Sequence, residues 1–569
     1  DFFLLQPYNS KVIKKLKFIL FIVFFIYQTS SYSKTADKKD FNPKYLSNYL
    51  SALISQNRED SINYFNSSKI LINEHAAFLE KYVKALSVEG QIQKSINIIK
   101  QNRGQENSQF FEAELLLLID NFKKKNFNQN IKLLDEFQKY RNYGDFNYII
   151  YEVLKSYNDL FLKKELNPNN KDFGKLSLIN EVFHYCYLDK AGTNSKFLNL
   201  INSKDGNYTR YIFFYFNNLI KKNDFKSAIQ LSKNINVLDS NLLIQQSKQW
   251  IDNSEFNNFG NLFSCQNETD ILAEFFFLIS NFYASDENYE QSIFYSNISN
   301  FLNPKFYFNL THLISNYFEI KNYEKAKQLL KNFNKEEEIY HWYKLKKISQ
   351  IISYEKDSNQ ALSYIENKFE NYSNPSIKIL NDMANIYKRN KKFEKSIKYY
   401  SLLLKKLNNK SEAYADVLYK RGSSYERLGE HQSSDNDLLK SLSIRPDDPY
   451  VLNYLGYGWL ERGYKIQDAI DMLNKAYNQK KNDPFIIDSV GWGYYLIGDY
   501  VNAENFLRKA IQLMPKDPIV NDHYGDVLWK LNRKIQAKYY WESALNSEDT
   551  ENTIKENISK KLLKGLNES

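Results

Sequence analysis

Residues 484–515 read PFIIDSVGWGYYLIGDYVNAENFLRKAIQLMP, and the same arrangement of small and large residues recurs on both sides of this stretch. The recurrence is clearest in four glycines at intervals of 34, 35 and 34 residues: Gly422, Gly456, Gly491 and Gly525. A fixed period of this length is typical of stacked arrays of one supersecondary unit. The period therefore predicts a repeat architecture rather than a series of independent globular domains.

Three further columns of residues follow the glycines with the same period. They are a small column (Ser434, Ala469, Ala503, Ala537), a large apolar column (Leu438, Leu473, Leu507, Trp541) and a second small column (Ser441, Ala476, Ala510, Ala544). Small residues let two antiparallel helices approach closely where they cross, and the large residues fill the grooves between successive pairs. Because one pair cannot bury its apolar face alone, neighbouring pairs must stack.

The stretch 484–515 resembles the tetratricopeptide repeat (TPR) at Gly491, Tyr494, Tyr500, Ala503, Leu507, Ala510 and Pro515. The resemblance implies an all-α fold, a TPR-type α-solenoid in which antiparallel helix pairs form a superhelix. Each pair would begin at a proline (Pro449, Pro484 or Pro518), because a proline in the first helical turn loses no hydrogen bond.

The first small column continues more weakly toward the N-terminus. It passes through Ser61, Ser95, Asn130, Ser195, Ala228, Ser292, Ala326, Ala361 and Ser396. Two stretches, 165–174 and 252–266, interrupt the rhythm, and either could be a hinge. We therefore expect divergent TPR-like repeats over 34–400, well-matched repeats over 401–546 and a C-terminal capping helix over 547–569, the last because a solenoid must cover its exposed end.

Residues 1–33 have the pattern of a targeting segment. Four lysines between positions 11 and 17 precede the apolar run FILFIVFFIY at Phe18–Tyr27, and Ser31-Tyr32-Ser33 resembles a signal peptidase site. The run is too short to span a bilayer as a helix, which needs about twenty residues. A cleaved signal peptide is the first interpretation; an uncleaved N-terminal anchor and a buried helix are the alternatives.

The composition restricts the classes of partner and chemistry. The net charge of +10 over 569 residues permits anionic partners. Without a clustered basic patch, this charge does not indicate nucleic-acid binding, so no nucleic acid partner is expected. The six histidines have no metal-ligand spacing, and no phosphate-binding loop or nucleophile motif occurs. We therefore expect no metal, no cofactor and no enzymatic activity; an enzyme with an undetected helical catalytic segment is a remote alternative.

The two cysteines, Cys186 and Cys265, lie far apart in sequence. In a solenoid such residues would occupy different repeats, so no disulfide between them is expected. So few cysteines suit an exported and a cytosolic protein equally.

Counting along the first helix of each C-terminal pair gives a column of candidate ligand-binding residues. The fifth residues are Asn453, Asp488 and Asp522, and the ninth residues are Tyr457, Trp492 and Asp526. In TPR proteins these positions line a concave groove, where flat aromatics and carboxylates suit a peptide backbone with a basic or amide side chain. The alternative is structural: Asp488 and Asp522 bond to the neighbouring repeat, and Trp492 packs between helices.

A TPR clamp for a C-terminal carboxylate would need lysines and asparagines on adjacent repeats. Asn381, Asn385 and Arg389 offer only part of such a set, and Lys391 and Lys392 are most simply a solvated helix end.

The C-terminal third also resembles a family of large proteobacterial TPR proteins. The matching elements are LNYLGY (452–457), DSVGWGYY (488–495) and NDHYGDVLW (521–529). The family includes exported TPR lipoproteins that act as adaptors for carboxyl-terminal processing proteases, although the cysteine needed for lipidation is missing here. The resemblance implies a non-catalytic scaffold or adaptor of the bacterial cell envelope, exported and either periplasmic or membrane-associated. Its partners would be proteins or peptides, for example an envelope protease and its substrates, with membrane contact only through an uncleaved N-terminal segment. The alternative is a cytosolic or membrane-anchored regulatory TPR protein.

Overall fold

The computed structural model describes residues 42–55, 58–142, 146–166, 171–204, 206–548 and 550–566. The targeting segment predicted at 1–33 lies outside the described residues. The chain divides into two compact units, Asp1–Asn158 and Asp159–Ser569.

The first unit is a series of helices packed on their sequence neighbours. The helices are α1 (Pro43–Ile54), α2 (Arg58–Ser67), α3 (Phe78–Val88), α4 (Ile92–Gln101), α5 (Phe111–Lys123), α6 (Phe127–Phe137) and the start of α7 (Asn147–Lys163). Helix α1 packs on α2, α3 on α4 and α5 on α6. Apolar residues such as Phe78, Leu86, Leu116 and Phe122 are fully buried between them. In the described residues the only β interaction is an isolated bridge between Arg103 and Gln105.

The second unit is likewise built of helices that pack on helices nearby in the sequence. Its first helices are α8 (Lys175–Tyr187), α9 (Thr193–Ile201), α10 (Tyr211–Lys221), α11 (Phe225–Ser232), α12 (Leu242–Asp252), α13 (Asn257–Leu262), α14 (Glu268–Ser285), α15 (Tyr289–Leu302), α16 (Tyr307–Glu319), α17 (Tyr323–Leu330), α18 (Glu338–Glu355) and α19 (Ser358–Phe369). They are followed by α20 (Ile377–Arg389), α21 (Phe393–Leu404), α22 (Glu412–Arg427), α23 (His431–Ile444), α24 (Pro449–Glu461), α25 (Ile466–Gln479), α26 (Pro484–Leu496), α27 (Tyr500–Leu513), α28 (Pro518–Lys530), α29 (Lys534–Leu545) and α30 (Asn552–Lys564). Within the pairs α14–α15, α18–α19, α20–α21, α22–α23, α24–α25, α26–α27 and α28–α29, each helix packs most closely on its partner. The prediction of an all-α solenoid of helix pairs is confirmed.

Local sequence explains where the C-terminal pairs begin. Asp448, Asp483 and Asp517 cap α24, α26 and α28, each accepting backbone N–H groups from the first turn, and a proline follows each aspartate. An aspartate cap satisfies donors that a helix start leaves unpaired, and the proline has no N–H to satisfy.

The periodic glycines mark the crossings of helix pairs. A Cβ atom on Gly491 would lie 2.6 Å from Cγ of Leu507, and one on Gly525 would lie 2.5 Å from Cδ1 of Trp541. Both distances are far shorter than carbon–carbon contact, which is about 3.5–4.0 Å. Glycine is therefore needed there for space, as the sequence pattern predicts.

The first small column is buried at nearly every position to which it was traced. Ala228, Ser292, Ala326 and Ser396 have no exposed surface. Ser195 is the exception and the assignment there was wrong, because Ser195 is exposed and its hydroxyl donates to the carbonyl of Gly192 in the first turn of α9. The interior side of that short helix is occupied by the large Phe197 instead.

The expectation of free cysteines was also wrong. Cys186 and Cys265 form a disulfide with a Cα–Cα distance of 5.7 Å, across 79 residues of sequence. The segment that follows α13 folds back onto α8 and α10, where the ring of Phe263 contacts Phe183 and Phe214 at centroid distances of 5.9 and 4.7 Å. Non-adjacent repeats thus meet, which a strictly nearest-neighbour solenoid would not allow.

A polar network occupies the crossing of α14 and α15. The Ser280 and Ser292 hydroxyls lie 2.9 Å apart, and Nε2 of His312 lies 3.0 Å from the Ser280 hydroxyl. The side chain of Asn316 donates to the Ser292 hydroxyl at 2.7 Å. Serines here leave the same space as alanines elsewhere, and the network satisfies their hydroxyls.

This network predicts a pH dependence of stability that His312→Gln should remove. Burial lowers the pKa of His312 to about 4, from 6.5 in the unfolded chain. Between those values the unfolded chain binds a proton that the folded protein does not, so the free energy of unfolding falls as pH falls, by up to about 3 kcal/mol. Urea denaturation of wild type and His312→Gln from pH 7 to pH 4 tests this. The other titrating groups change the free energy of unfolding equally in wild type and variant.

The stability difference between wild type and His312→Gln should shrink as the pH is lowered. A difference that stays constant over this range would contradict the assignment.

Candidate functional site

The predicted groove residues lie on α24, α26 and α28, the first helices of consecutive pairs. Helix α24 contacts α26, and α26 contacts α28, in addition to their own pair partners. Residues at equal positions on these helices therefore face the same side of the array. We call this surface the Trp492 face, made of Asn453, Tyr457, Asp488, Trp492, Asp522 and Asp526.

Trp492 is the aromatic centre of this face. Its indole stacks between Tyr495, at a centroid distance of 4.5 Å, and His523, at 4.0 Å. Its Nε1 donates a hydrogen bond to the Glu461 carboxylate at the end of α24. The indole is only half-buried, so it is held in one orientation while part of it stays accessible.

Asp488 is buried and paired. Both of its carboxylate oxygens lie 3.1 Å from Nδ1 of His523, which belongs to the next first helix. Burial alone would lower the pKa of His523, but Asp488, with Asp522 and Asp526 nearby, raises it above its usual value. The pair therefore favours a protonated imidazole and joins α26 to α28.

Asp522 and Asp526 are paired with the C-terminal helix. Nζ of Lys561 on α30 lies 2.8 Å from both oxygens of Asp522 and 2.8 Å from Oδ2 of Asp526. The other oxygen of Asp526 accepts a hydrogen bond from Nε1 of Trp541 at 2.8 Å. Burial raises the pKa of Asp526 to about 6, against the attraction of Lys561.

Asn453 and Tyr457 are half-buried on α24. Oδ1 of Asn453 is buried and accepts no hydrogen bond from another described residue. Burial raises the pKa of Tyr457, and the negative charges of Glu461 and Asp488 raise it further, so the phenol stays protonated. The three aspartates thus hold repeats together, while Asn453, Tyr457 and Trp492 keep surface that a ligand could reach; ligand contact at all six stays a prediction.

Sequence reasoning missed a groove upstream of this face. A cavity of about 1140 Å³ extends from α18 to α24. Its charged lining consists of Lys346, Lys347, Asp382, Lys388, Arg389, Lys391 and Arg427. The available signal was the pair of basic runs at 344–347 and 388–392, which fall on or beside the first helices of consecutive pairs. We call this cavity the basic groove.

Comparison with known proteins identifies the repeat. A family model described as "Tetratricopeptide repeat" matches residues 377–405 and 415–448. These two segments are therefore similar to tetratricopeptide repeats. The matched residues are α20–α21 and α22–α23, so the match begins inside the region that we had assigned to divergent repeats.

Solved structures of several TPR proteins are similar to parts of the chain. A TPR protein from Parabacteroides merdae is 18% identical, with 44% of this chain and 97% of that one covered and a TM-score of 0.37. MamA from Desulfovibrio magneticus is 16% identical over 32% of this chain and 99% of its own, with a TM-score of 0.27. PilW, a type IV pilus biogenesis factor, is 18% identical over 34% of this chain and 87% of its own, with a TM-score of 0.30.

The match to this repeat supports the interpretation of the chain as a protein-interaction scaffold. Within the described ranges, no helix combines the length and apolar composition that crossing a membrane requires.

Proposed function

We propose that this TPR protein is a non-catalytic scaffold of a bacterial cell envelope that binds partner proteins or peptides at the Trp492 face. The observation that carries the proposal is the state of Trp492: half-exposed, stacked between two rings and hydrogen-bonded to Glu461. An aromatic side chain already fixed in one rotamer loses little entropy when a partner covers it, and tryptophans are frequent energetic centres of interfaces.

The disulfide supports an exported location. Disulfides form and persist in oxidising compartments, including the bacterial periplasm, and are rare in the cytosol. The Cys186–Cys265 bond joins segments that are 79 residues apart, and both sulfurs are buried. Together with the signal-like pattern of residues 1–33, it favours the periplasmic interpretation over a cytosolic regulatory protein.

An envelope protease is the partner that the sequence resemblance favours. The motifs shared with adaptors of carboxyl-terminal processing proteases, at 452–457, 488–495 and 521–529, contain all six residues of the Trp492 face. An adaptor of this kind would hold the protease and its substrate together without chemistry of its own.

Replacing Trp492 with alanine should abolish capture of such a partner while leaving the fold intact. Wild type and variant, both purified with their native N-terminal processing, are used to capture proteins from envelope extract, and mass spectrometry identifies what is retained. The expected result is a processing protease that is retained by wild type and lost with Trp492→Ala. Trp492 is preferable to Asp488 because removing Asp488 would leave His523 buried without its partner.

Phe485→Ala provides the matched control. Phe485 is an aromatic on the same helix, 64% exposed, and lies outside the Trp492 face. Equal loss of the partner with both variants would contradict the proposal. An unprocessed N-terminus combined with exclusively cytosolic partners would favour the regulatory alternative.

A further inference from the structure

The basic groove carries a surplus of positive charge that the chain itself does not neutralise. Six cationic side chains line it, against the single carboxylate of Asp382. That carboxylate is already occupied: Oδ2 lies 2.5 Å from Nζ of Lys346 and accepts from Nε1 of Trp342 at 2.9 Å. Burial opposes ionisation of Asp382, but Lys346 and Lys378 hold its pKa below the usual value.

The remaining cations have few partners. Nζ of Lys391 forms an ion pair with Glu551 at 2.7 Å. Within the described part of the chain, Lys347, Lys388, Arg389 and Arg427 form no ion pair. Four cations around one cavity repel one another, and the repulsion is strongest where they are shielded from water.

Lys388 is the most informative of these groups. Its Nζ bonds to the hydroxyl of Ser423, a neutral acceptor on the next first helix. Burial, together with the nearby Lys420 and Arg427, lowers the pKa of Lys388 to about 8, against the attraction of Asp416. A partly desolvated ammonium that bonds to a hydroxyl rather than to a carboxylate is unfavourable, so an incoming carboxylate would gain from pairing with it.

The groove is also equipped for a peptide backbone. Gln350, Ser353, Asn385 and Asn390 line it with neutral donors and acceptors. Two of its aromatic lining residues, Tyr419 and Tyr454, belong to successive first helices, and the hydroxyl of Tyr454 donates to the Ser423 carbonyl at 3.4 Å. Amides and hydroxyls bind main-chain groups of an extended segment, while cations at fixed positions select its side chains.

The charge changes sign along the array, which disfavours a long polyanion. Beyond the basic groove, the face of α24, α26 and α28 carries four carboxylates against the two cations paired with them, His523 and Lys561; the carboxylates belong to Glu461, Asp488, Asp522 and Asp526. A nucleic acid following the first helices would leave the cations and meet these carboxylates. Nucleic acid binding needs a continuous basic stripe, whereas a peptide can place its acidic residues at one point.

We propose that the basic groove binds an extended acidic segment of a partner protein, with side-chain carboxylates paired to Lys388, Arg389 and Arg427. This gives the scaffold a second docking surface, distinct from the Trp492 face. It rests on the role proposed above only in that both surfaces bind proteins.

Fluorescence anisotropy with a labelled glutamate-rich peptide and the full chain tests this directly. A peptide of equal length with glutamine in place of glutamate should bind at least about tenfold more weakly, and affinity for the acidic peptide should fall as salt is raised. The double variant Arg389→Glu/Arg427→Glu should lose binding by more than about a hundredfold, since both side chains are exposed and their replacement leaves the core intact.

Two further variants separate binding from folding and from net charge. Lys388→Met should weaken binding of the acidic peptide. It should leave the free energy of unfolding unchanged or raised, because it removes a desolvated charge. Lys405→Glu/Lys410→Glu makes the same charge change at exposed lysines outside the groove and should bind like wild type.

Equal affinity for the glutamate and glutamine peptides would overturn the proposal, as would equal weakening by the Lys405/Lys410 control. Tighter binding of single-stranded DNA than of the acidic peptide would identify a nucleic acid groove instead. Trp492→Ala should bind the acidic peptide normally, so failure of the basic groove and failure of the Trp492 face give different results.

Discussion

Replacing Trp541 with alanine is expected to lower the free energy of unfolding of the second unit by about 3–5 kcal/mol. Trp541 is the largest fully buried side chain, and it occupies the space that Gly525 leaves at the crossing of α28 and α29. Alanine would leave a cavity that the paired helices cannot collapse to fill. Loss of the indole N–H would also remove a hydrogen bond from the buried Asp526, and an unsatisfied buried acceptor adds to the cost.

Guanidinium denaturation followed by helical circular dichroism measures this loss. Tyr539→Ala on the same helix is the matched control, because Tyr539 is 66% exposed and its truncation should change stability by less than about 0.5 kcal/mol. Trp541→Phe should fall between the two, since it restores most of the volume but not the hydrogen bond. Similar stabilities for Trp541→Ala and Tyr539→Ala would contradict the assigned crossing.

Removing the disulfide should cost about 4–5 kcal/mol of stability, by the chain-entropy relation for a loop of 79 residues. The bond restricts the unfolded chain over the segment that forms α9 to α13 in the folded protein. The longer the closed loop, the more conformational entropy the unfolded chain loses. The double variant Cys186→Ala/Cys265→Ala avoids leaving a buried thiol or hydroxyl. Its unfolding, measured in urea, should be unaffected by reductant, whereas that of wild type should become easier once the bond is reduced.

Alkylation of the native protein gives an independent readout for the disulfide. With the bond formed, the folded protein should incorporate no alkylating label before reduction, and two labels after reduction and unfolding. Labelling of both cysteines without reductant would contradict the bond, and with it the main structural support for an exported location.

The outcome at individual residues shows which kinds of inference a repeat sequence permits. Gly491, Ala503 and Leu507 could be assigned to a helix crossing because their roles depend only on spacing within one helix pair and on side-chain size. Ser195 was misassigned for the same reason: spacing alone placed it at a crossing, but α9 is short and turns Phe197 inward. Where the period weakens, size and spacing no longer determine which residue faces the core.

The six residues predicted to line a groove lie on consecutive first helices, but the contacts they make were only partly foreseeable. That Asp488 would meet His523 depends on the offset between two adjacent helices, which the sequence does not state. The engagement of Asp522 and Asp526 by Lys561 depends on where α30 docks. Ligand roles for these residues therefore remain proposals to be tested through Trp492.

By itself, the sequence determined the helix pairs, the prolines that begin them and the stacking order, because a period near 34 residues encodes contacts between neighbours. Only the tertiary structure decided the Cys186–Cys265 bond, the ion pairs of the Trp492 face and the clustering of cations in the basic groove. Each of these joins side chains from different repeats, across 79 residues for the disulfide and 35 for Asp488 and His523. Their approach is set by the offset of one helix on the next and by segments that depart from the repeat, and neither follows from the period.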